Sequence, residues 1–305
     1  MASSRASNLR HRLVGLLPAE QQVKVYKWFK TRILRQRIGQ SGIVVISYPK
    51  SGRTWFRIML SRCYASTHGL DGNTLLKDDN FHRLNAQVPV ISWFHGKFIA
   101  EIAGSQEPKA FLDSKKIVFL VRNPIDVTIS TYFHLFGGRA KPEKRAMQGI
   151  PASMDELPID QFVLTSKWSV RNIVTFMNEW ATLLDGNPQV LMVRYEDMRA
   201  DAAREMERVN QFLGGGFSAE TIAKAVAASS FENLKEQERS GTIANAALKP
   251  RNADDPNSFK VRRGKVGGYV DYLKPETIAE VERIAAELLS PTFGYSFGGE
   301  GQPPG

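Results

Sequence analysis

Four short apolar runs alternate with longer segments of helical periodicity along this chain. The runs are Ile43–Ser47, Val90–Phe94, Ile117–Val121 and Gln189–Arg194. Each has the length and apolar content of a buried strand. After the first run, Phe56, Met59, Leu60, Cys63 and Tyr64 recur at helical spacing within Thr54–Ala65. Further helices are predicted at Pro124–Leu135, Lys167–Leu184, Asp201–Phe212, Ala219–Ala228 and Pro275–Leu289. Strands alternating with helices predict an α/β fold, with a mainly parallel central sheet flanked by helices on both faces.

The ends of the chain read differently. From Glu20 to Ile38, Val23, Tyr26, Phe29, Ile33 and Ile38 alternate with Lys24, Lys27, Lys30, Arg32, Arg35 and Arg37. This predicts a basic helix within a segment spanning residues 1–40. It either packs on the main domain with a solvated basic face or lies on a membrane surface. The main domain is assigned to residues 41–298, and residues 299–305 to a flexible tail. Two stretches, Gly137–Pro158 and Ser240–Ser258, lack periodicity and have the length of functional loops.

Charge narrows the choice of partner. The 305 residues carry a formal net charge of +10, which calls for something anionic. A nucleotide with several phosphates, a nucleic acid or an anionic membrane would each suffice. The single cysteine, Cys63, excludes an intrachain disulfide, suits a reducing compartment and falls in a helical packing pattern. No apolar run is long enough to span a membrane, and no signal-peptide core is evident. A cytoplasmic location is expected, with weak membrane-surface contact through the basic helix left open.

The candidate chemistry begins at Tyr48-Pro49-Lys50-Ser51-Gly52-Arg53-Thr54-Trp55. It links a buried strand to a helix, so its backbone N–H groups point outward at the positive end of the helix and suit a phosphate. Lys50 adds a point charge. A standard P-loop ends in Gly-Lys-Ser/Thr, with the hydroxyl on Mg²⁺. Here the lysine precedes the glycine, and Gly-Lys-Ser or Gly-Lys-Thr occurs nowhere in the chain. The loop looks built to work without a metal-nucleotide, and no metal site is expected.

A second element is the strand end Arg122-Asn123-Pro124-Ile125-Asp126. Asn123 can cap the following helix and Pro124 suits its first position. Arg122 then stands at the carboxyl end of a strand, where open α/β sheets bind ligands. Ser130, two turns into the helix, shares a face with Asp126 and completes a plausible phosphate clamp with Arg122. A third element, Arg262-Arg263-Gly264-Lys265-Val266-Gly267-Gly268, can close a basic glycine loop around an anion.

In this order the three elements resemble those of sulfotransferases that use 3′-phosphoadenosine 5′-phosphosulfate (PAPS). That family carries Tyr-Pro-Lys-Ser-Gly-x-Thr-Trp, then a strand ending in Arg-Asn/Asp-Pro with a serine eight residues after the arginine. An Arg-Lys-Gly-x-x-Gly loop follows near the C-terminus. Val193-Arg194-Tyr195-Glu196-Asp197-Met198 and Ser229-Ser230-Phe231 resemble two further family elements. The resemblance covers about residues 41–290 and implies a P-loop-like three-layer fold. Arg53 stands where Thr is common, Arg263 where Lys is usual, and Gly268-Tyr269 where Asp-Trp often stands. Such variation is found in bacterial branches of the family.

The resemblance also implies roles. Lys50, Ser51, Gly52, Thr54 and Trp55 would hold the 5′-phosphosulfate end of PAPS, and Arg53 lies within this cofactor-binding loop. Arg122 and Ser130 would bind the 3′-phosphate. Tyr195, Ser229 and Phe231 would contact the adenine, and Arg262, Arg263 and Gly264 would close over the 3′-phosphate. Ser130 would hold Lys50 away before the acceptor binds. The product would be adenosine 3′,5′-bisphosphate (PAP).

Sulfuryl transfer also needs a base to take the acceptor proton. His95 follows the run Val90–Phe94, as the family's catalytic histidine follows a strand, although Phe94 and Gly96 depart from its usual neighbours. His82 is the next choice, and a structural histidine at a strand end is the bland alternative. Lys50 would stabilise charge on the leaving phosphate. The acceptor is expected to be a small-molecule, lipid-like or glycan hydroxyl or amine. Trp93, Phe94, Phe133, Phe136 and Phe162 could line an apolar pocket for it, or could be core. Two other readings fit the residues less well. A nucleotide-dependent kinase lacks its Gly-Lys-Ser/Thr. A nucleic-acid-binding protein would show a basic stripe interleaved with aromatics, whereas the charges here coincide with discrete phosphate loops.

Overall fold

The structure is a computed structural model that describes residues 19–136, 157–241 and 264–298. Helix α1 (Ala19–Gln40) leads into strand β1 (Ile43–Ser47), and the glycine loop then opens helix α2 (Arg53–His68). Strand β2 (Ile91–Phe94) follows, with two short helices, α3 (Ile99–Ala103) and α4 (Pro108–Asp113). Strand β3 (Lys116–Val121) feeds α5 (Pro124–Phe136), and α6 (Ile159–Thr165) and α7 (Val170–Leu184) precede β4 (Val190–Arg194). The chain finishes with α8 (Tyr195–Ala200), α9 (Ala202–Leu213), α10 (Ala219–Ala228), α11 (Phe231–Ser240) and α12 (Pro275–Leu288). Arg262, Arg263, His11, the tail 299–305 and most of the two aperiodic stretches lie outside the described residues.

The four strands form one parallel sheet in the order β2-β1-β3-β4. Alternation along each strand explains the layers, because successive side chains face opposite sides. Val44, Ile46, Ile117 and Phe119 pack on one side with Ile129 of α5, Trp180 of α7 and Val281 of α12. Ile43, Val45, Val118 and Leu120 pack on the other with Phe56 and Leu60 of α2, Val209 of α9 and Ile222 of α10. These are the two helix layers expected from the apolar runs. Cys63 is fully buried in the second layer, and burial pushes its thiol up to about 12. It packs and does not react.

Strand order positions the site. After β1 the chain moves to β2 on one side and then returns to β3 on the other. The carboxyl end of β1 is therefore the switch point of the sheet, where two connections diverge and leave a crevice. Helix α1 packs on α3, where Lys27 pairs with Glu101 at 2.5 Å. Its Ile38 is fully buried in the first core layer, while Lys24, Arg32 and Arg35 are exposed. So this helix has a packed face and a basic outer face. Among the described residues no helix is long and apolar enough to cross a membrane.

Candidate active site

The loop after β1 carries two left-handed residues, Lys50 at φ 77° and Gly52 at φ 83°. Gly52 caps α2 through its carbonyl, which accepts from Phe56 N at 3.1 Å, and no acidic residue lies in the first turn. The loop thus meets the positive end of a 16-residue helix with no carboxylate to compete for an anion. Ser51 is buried, and Thr54 is half-buried in the first turn.

The neighbouring strand ends supply the other groups. Arg122, after β3, reaches over to donate from Nη1 to Lys50 O and from Nη2 to Lys265 O, both at 3.4 Å. Its guanidinium lies over the Tyr195 ring, 4.3 Å from the centroid, and its buried Nε has no partner among the described residues. Asn123 Oδ1 accepts from Ile125 N at 2.9 Å, the predicted cap. Ser130 is half-buried on the same helix. Trp55 donates from Nε1 to Ser229 O at 2.8 Å, and its ring meets Tyr195 edge-on. Phe231 opens α11 beneath Gly264, where an added Cβ would lie 2.9 Å from the Phe231 ring. Gly264 has φ 63°.

These groups fit a nucleotide with phosphates at two ends. An arginine with an unused buried donor, a cationic glycine loop and an aromatic pair surround one crevice. Unused buried donors in a native structure call for a partner.

On the other side of the loop stands His95, at the end of β2. Its Nδ1 lies 3.2 Å from Ser47 O, and a carbonyl can only accept, so Nδ1 carries the proton. Nε2 is then the lone-pair nitrogen, and Arg53 Nη2 donates to it. Burial first, then the Arg53 charge, pushes His95 down to about 3, with Lys30 and Lys97 adding to the shift and the Ser47 bond opposing it. The imidazole is therefore neutral near pH 7.

Residues 40–293 match the protein family described as Sulfotransferase domain. The chain belongs to the sulfotransferase family. It is 29% identical over 304 residues to cytosolic sulfotransferase 17 of Arabidopsis thaliana, covering 92% of this chain and 80% of that protein. It is 27% identical over 268 residues to the amine sulfotransferase of Oryctolagus cuniculus, covering 83% and 82%. Its fold resembles that of mouse sulfotransferase SULT7A1, solved in complex with PAP, at TM-score 0.56 and 20% identity, with 84% and 88% covered.

Within this sulfotransferase several sequence expectations are redirected. Arg53 sits in the nucleotide loop, yet its guanidinium turns to His95. Phe94 and Phe162 are core residues, 3% and 0% exposed. Trp93 faces the opposite layer, beneath the Arg57 guanidinium. Phe133 and Phe136 pack half-buried against the core. His82 is held in its loop by Val88 O at 2.8 Å.

Two contributors escaped the sequence reading. Asp126 is 3% exposed and accepts from Gly267 N at 2.9 Å and Tyr269 N at 3.2 Å, while pairing with Arg122 at 3.6 Å. It ties the exit of the C-terminal glycine loop to the Arg122 strand end. Arg199 lies over Trp55 at 5.7 Å and close to Gly264, so it joins the Trp55–Tyr195 side of the candidate site. A charged residue in the first turn of α5 hinted at Asp126, but nothing hinted at its partners more than a hundred residues away.

Gly52 offers a sharp test. An added Cβ would lie 2.6 Å from the Tyr195 ring, at a backbone angle that disfavours any side chain. Gly52→Ala should therefore displace the loop or Tyr195. It is expected to weaken PAP binding by about tenfold or more, with a modest loss of melting temperature. Calorimetry and thermal melting measure the two effects.

Proposed function

We propose that this chain moves the sulfuryl group of PAPS to a hydroxyl or amine of a small-molecule, lipid-like or glycan acceptor, in line, with His95 as general base. The observation that carries this reading is the meeting of three strand ends: the Lys50 loop after β1, His95 after β2 and Arg122 after β3. PAPS supplies an activated sulfuryl group, whose transfer breaks its bond to the phosphate oxygen and forms one to the acceptor. His95 Nε2 takes the acceptor proton. Lys50, with the backbone N–H groups of Ser51 to Trp55, meets the charge left on the phosphate. Ser130 and Arg122 hold the 3′-phosphate, with Arg262, Arg263 and Gly264 closing over it. Tyr195, Trp55, Ser229 and Phe231 frame the adenine.

The reading predicts that PAP binds more tightly than AMP, and that either outperforms ATP–Mg²⁺ in raising the melting temperature. Equal stabilisation by PAP and AMP would remove the 3′-phosphate site from the proposal. The names of the plant relatives, "cytosolic", support a cytoplasmic location. Exposed Trp28 and Ile33 beside Arg32 and Arg35 favour weak contact of α1 with anionic membranes. Cosedimentation with phosphatidylserine vesicles that weakens with salt tests this contact, and none at low salt excludes it.

A further inference from the structure

The acceptor side of His95 is crowded with positive charge. Arg53 occupies the lone pair of Nε2, the atom that would take the acceptor proton. Its other terminal nitrogen, Nη1, is buried with no partner among the described residues. Arg57, one turn further along α2, lies 4.1 Å above the Trp93 ring, and its buried Nε also has no partner among them. Lys97 follows His95 by two residues, through Gly96 at φ 69°. Lys30 comes from α1, which the Lys27–Glu101 pair and the Lys27–Phe98 contact draw against this corner. The charges acting on His95 are Arg53, Lys30 and Lys97, all positive. Lys97 in turn feels Lys30, and Lys167 feels Lys97. Asp78 is a carboxylate acting on Arg57.

Gathering like charges costs free energy, and an unused buried guanidinium donor costs more. Such an arrangement is favourable when an anion completes it. The position matters as much as the sign. An acceptor hydroxyl can reach Nε2 only if Arg53 lets go. A neutral acceptor would break that charge-assisted bond and return nothing to the guanidinium. An acceptor with an oxyanion beside its hydroxyl would return a bidentate partner.

We propose that the acceptor is anionic, carrying a carboxylate or similar oxyanion near the reacting hydroxyl, and that Arg53 leaves His95 to bind it. This rests on the sulfuryl-transfer reading and names its substrate class. Arg53 is then a specificity residue: it covers the base until an anion draws it away. Lys97 is exposed and supplies the outer charge that attracts the acceptor.

The test uses three phenols of similar shape that carry the charged arm beside the hydroxyl: the ortho isomers of hydroxyphenylacetate, tyrosol and tyramine, which are anionic, neutral and cationic. Each is titrated by calorimetry into the full chain saturated with PAP, and each is assayed for turnover with PAPS. PAP binding, measured first, separates failure of this proposal from failure of the sulfuryl-transfer reading. The carboxylate should bind at least about tenfold more tightly than the tyrosol isomer, and the tyramine isomer most weakly. Arg53→Thr should remove most of the preference for the carboxylate and leave PAP affinity intact, while Arg53→Lys should retain part of it. Lys97→Glu, at an exposed position, should narrow the ranking without affecting folding. Equal affinity for the three phenols, preference for the tyramine isomer or absence of carboxylate binding would overturn the proposal. So would loss of PAP affinity in Arg53→Thr with the acceptor ranking unchanged, because the guanidinium would then serve the donor.

Discussion

Replacing His95 with glutamine is expected to lower kcat by about 10²-fold or more while leaving PAP affinity nearly unchanged. His95 lies at the end of β2, on the side of β1 away from Arg122 and Tyr195. Its ring is fixed by Ser47 O and so presents one nitrogen to the crevice. Glutamine keeps hydrogen-bonding capacity at that strand end but is no base. The measurement pairs initial rates for an alcohol acceptor with calorimetric PAP affinity, since an ionised phenol would hide the defect. The pH profile adds a sign. Burial and the Arg53 charge lower the His95 pKa, so the base stays unprotonated well below its ordinary value. The acid limb of kcat/KM assigned to His95 should therefore lie below pH 6, and Arg53→Thr should move it upward. Near-normal turnover of His95→Gln across the pH range would mean that another group takes the proton.

The second large effect is at Arg122. Arg122→Ala should weaken PAP by about tenfold to 10²-fold and change AMP little, the scale for losing a charge-assisted bidentate contact. The guanidinium is nearly enclosed, at 13% side-chain exposure, between Tyr195, Asp126 and the Lys50 and Lys265 carbonyls. Its Nε has no partner among the described residues and keeps donor capacity within this frame. Removing the guanidinium also leaves Asp126 with backbone donors alone among the described residues, so melting temperature must be followed in parallel. Arg122→Lys keeps a charge there and separates the two effects. It should restore stability more fully than 3′-phosphate preference, because an ammonium lacks the planar fork. Parallel losses of PAP and AMP affinity would assign Arg122 to the structure of the loop and not to the 3′-phosphate.

Much of this fold can be read from periodicity. The buried strands β1 and β3 are near-continuous apolar runs because helices cover both their faces. Val90 falls just outside β2, yet its carbonyl accepts from Ile43 N at 3.4 Å, so that strand boundary is a matter of one residue. The short helices α3 and α4 span five and six residues, too few to show a helical period. The loop after β1 and the Arg122 strand end were legible because Lys50, Gly52 and Arg122 lie in local turns that their own sequence specifies. The acceptor side was not. Arg53 meets His95 only because β2 lies beside β1, and strand order is not written in the spacing of either segment. The same holds for Asp126, whose partners Gly267 and Tyr269 arrive from the far end of the chain. The suggested apolar lining also needed the structure. Trp93 and Phe94 are adjacent, so a strand sends them to opposite layers, and only their neighbours reveal which layer each enters.

The central claim is that one crevice at the carboxyl end of this sheet transfers sulfuryl groups from PAPS. The most direct measurement incubates the full chain with PAPS radiolabelled in the sulfuryl group and a pool of alcohols, phenols and amines that includes ortho-hydroxyphenylacetate. Label is expected in an organic sulfate, together with an equal amount of PAP, and both should be lost in Lys50→Ala. Label that stays in PAPS, or appears only as inorganic sulfate at the same rate with and without the pool, would contradict it.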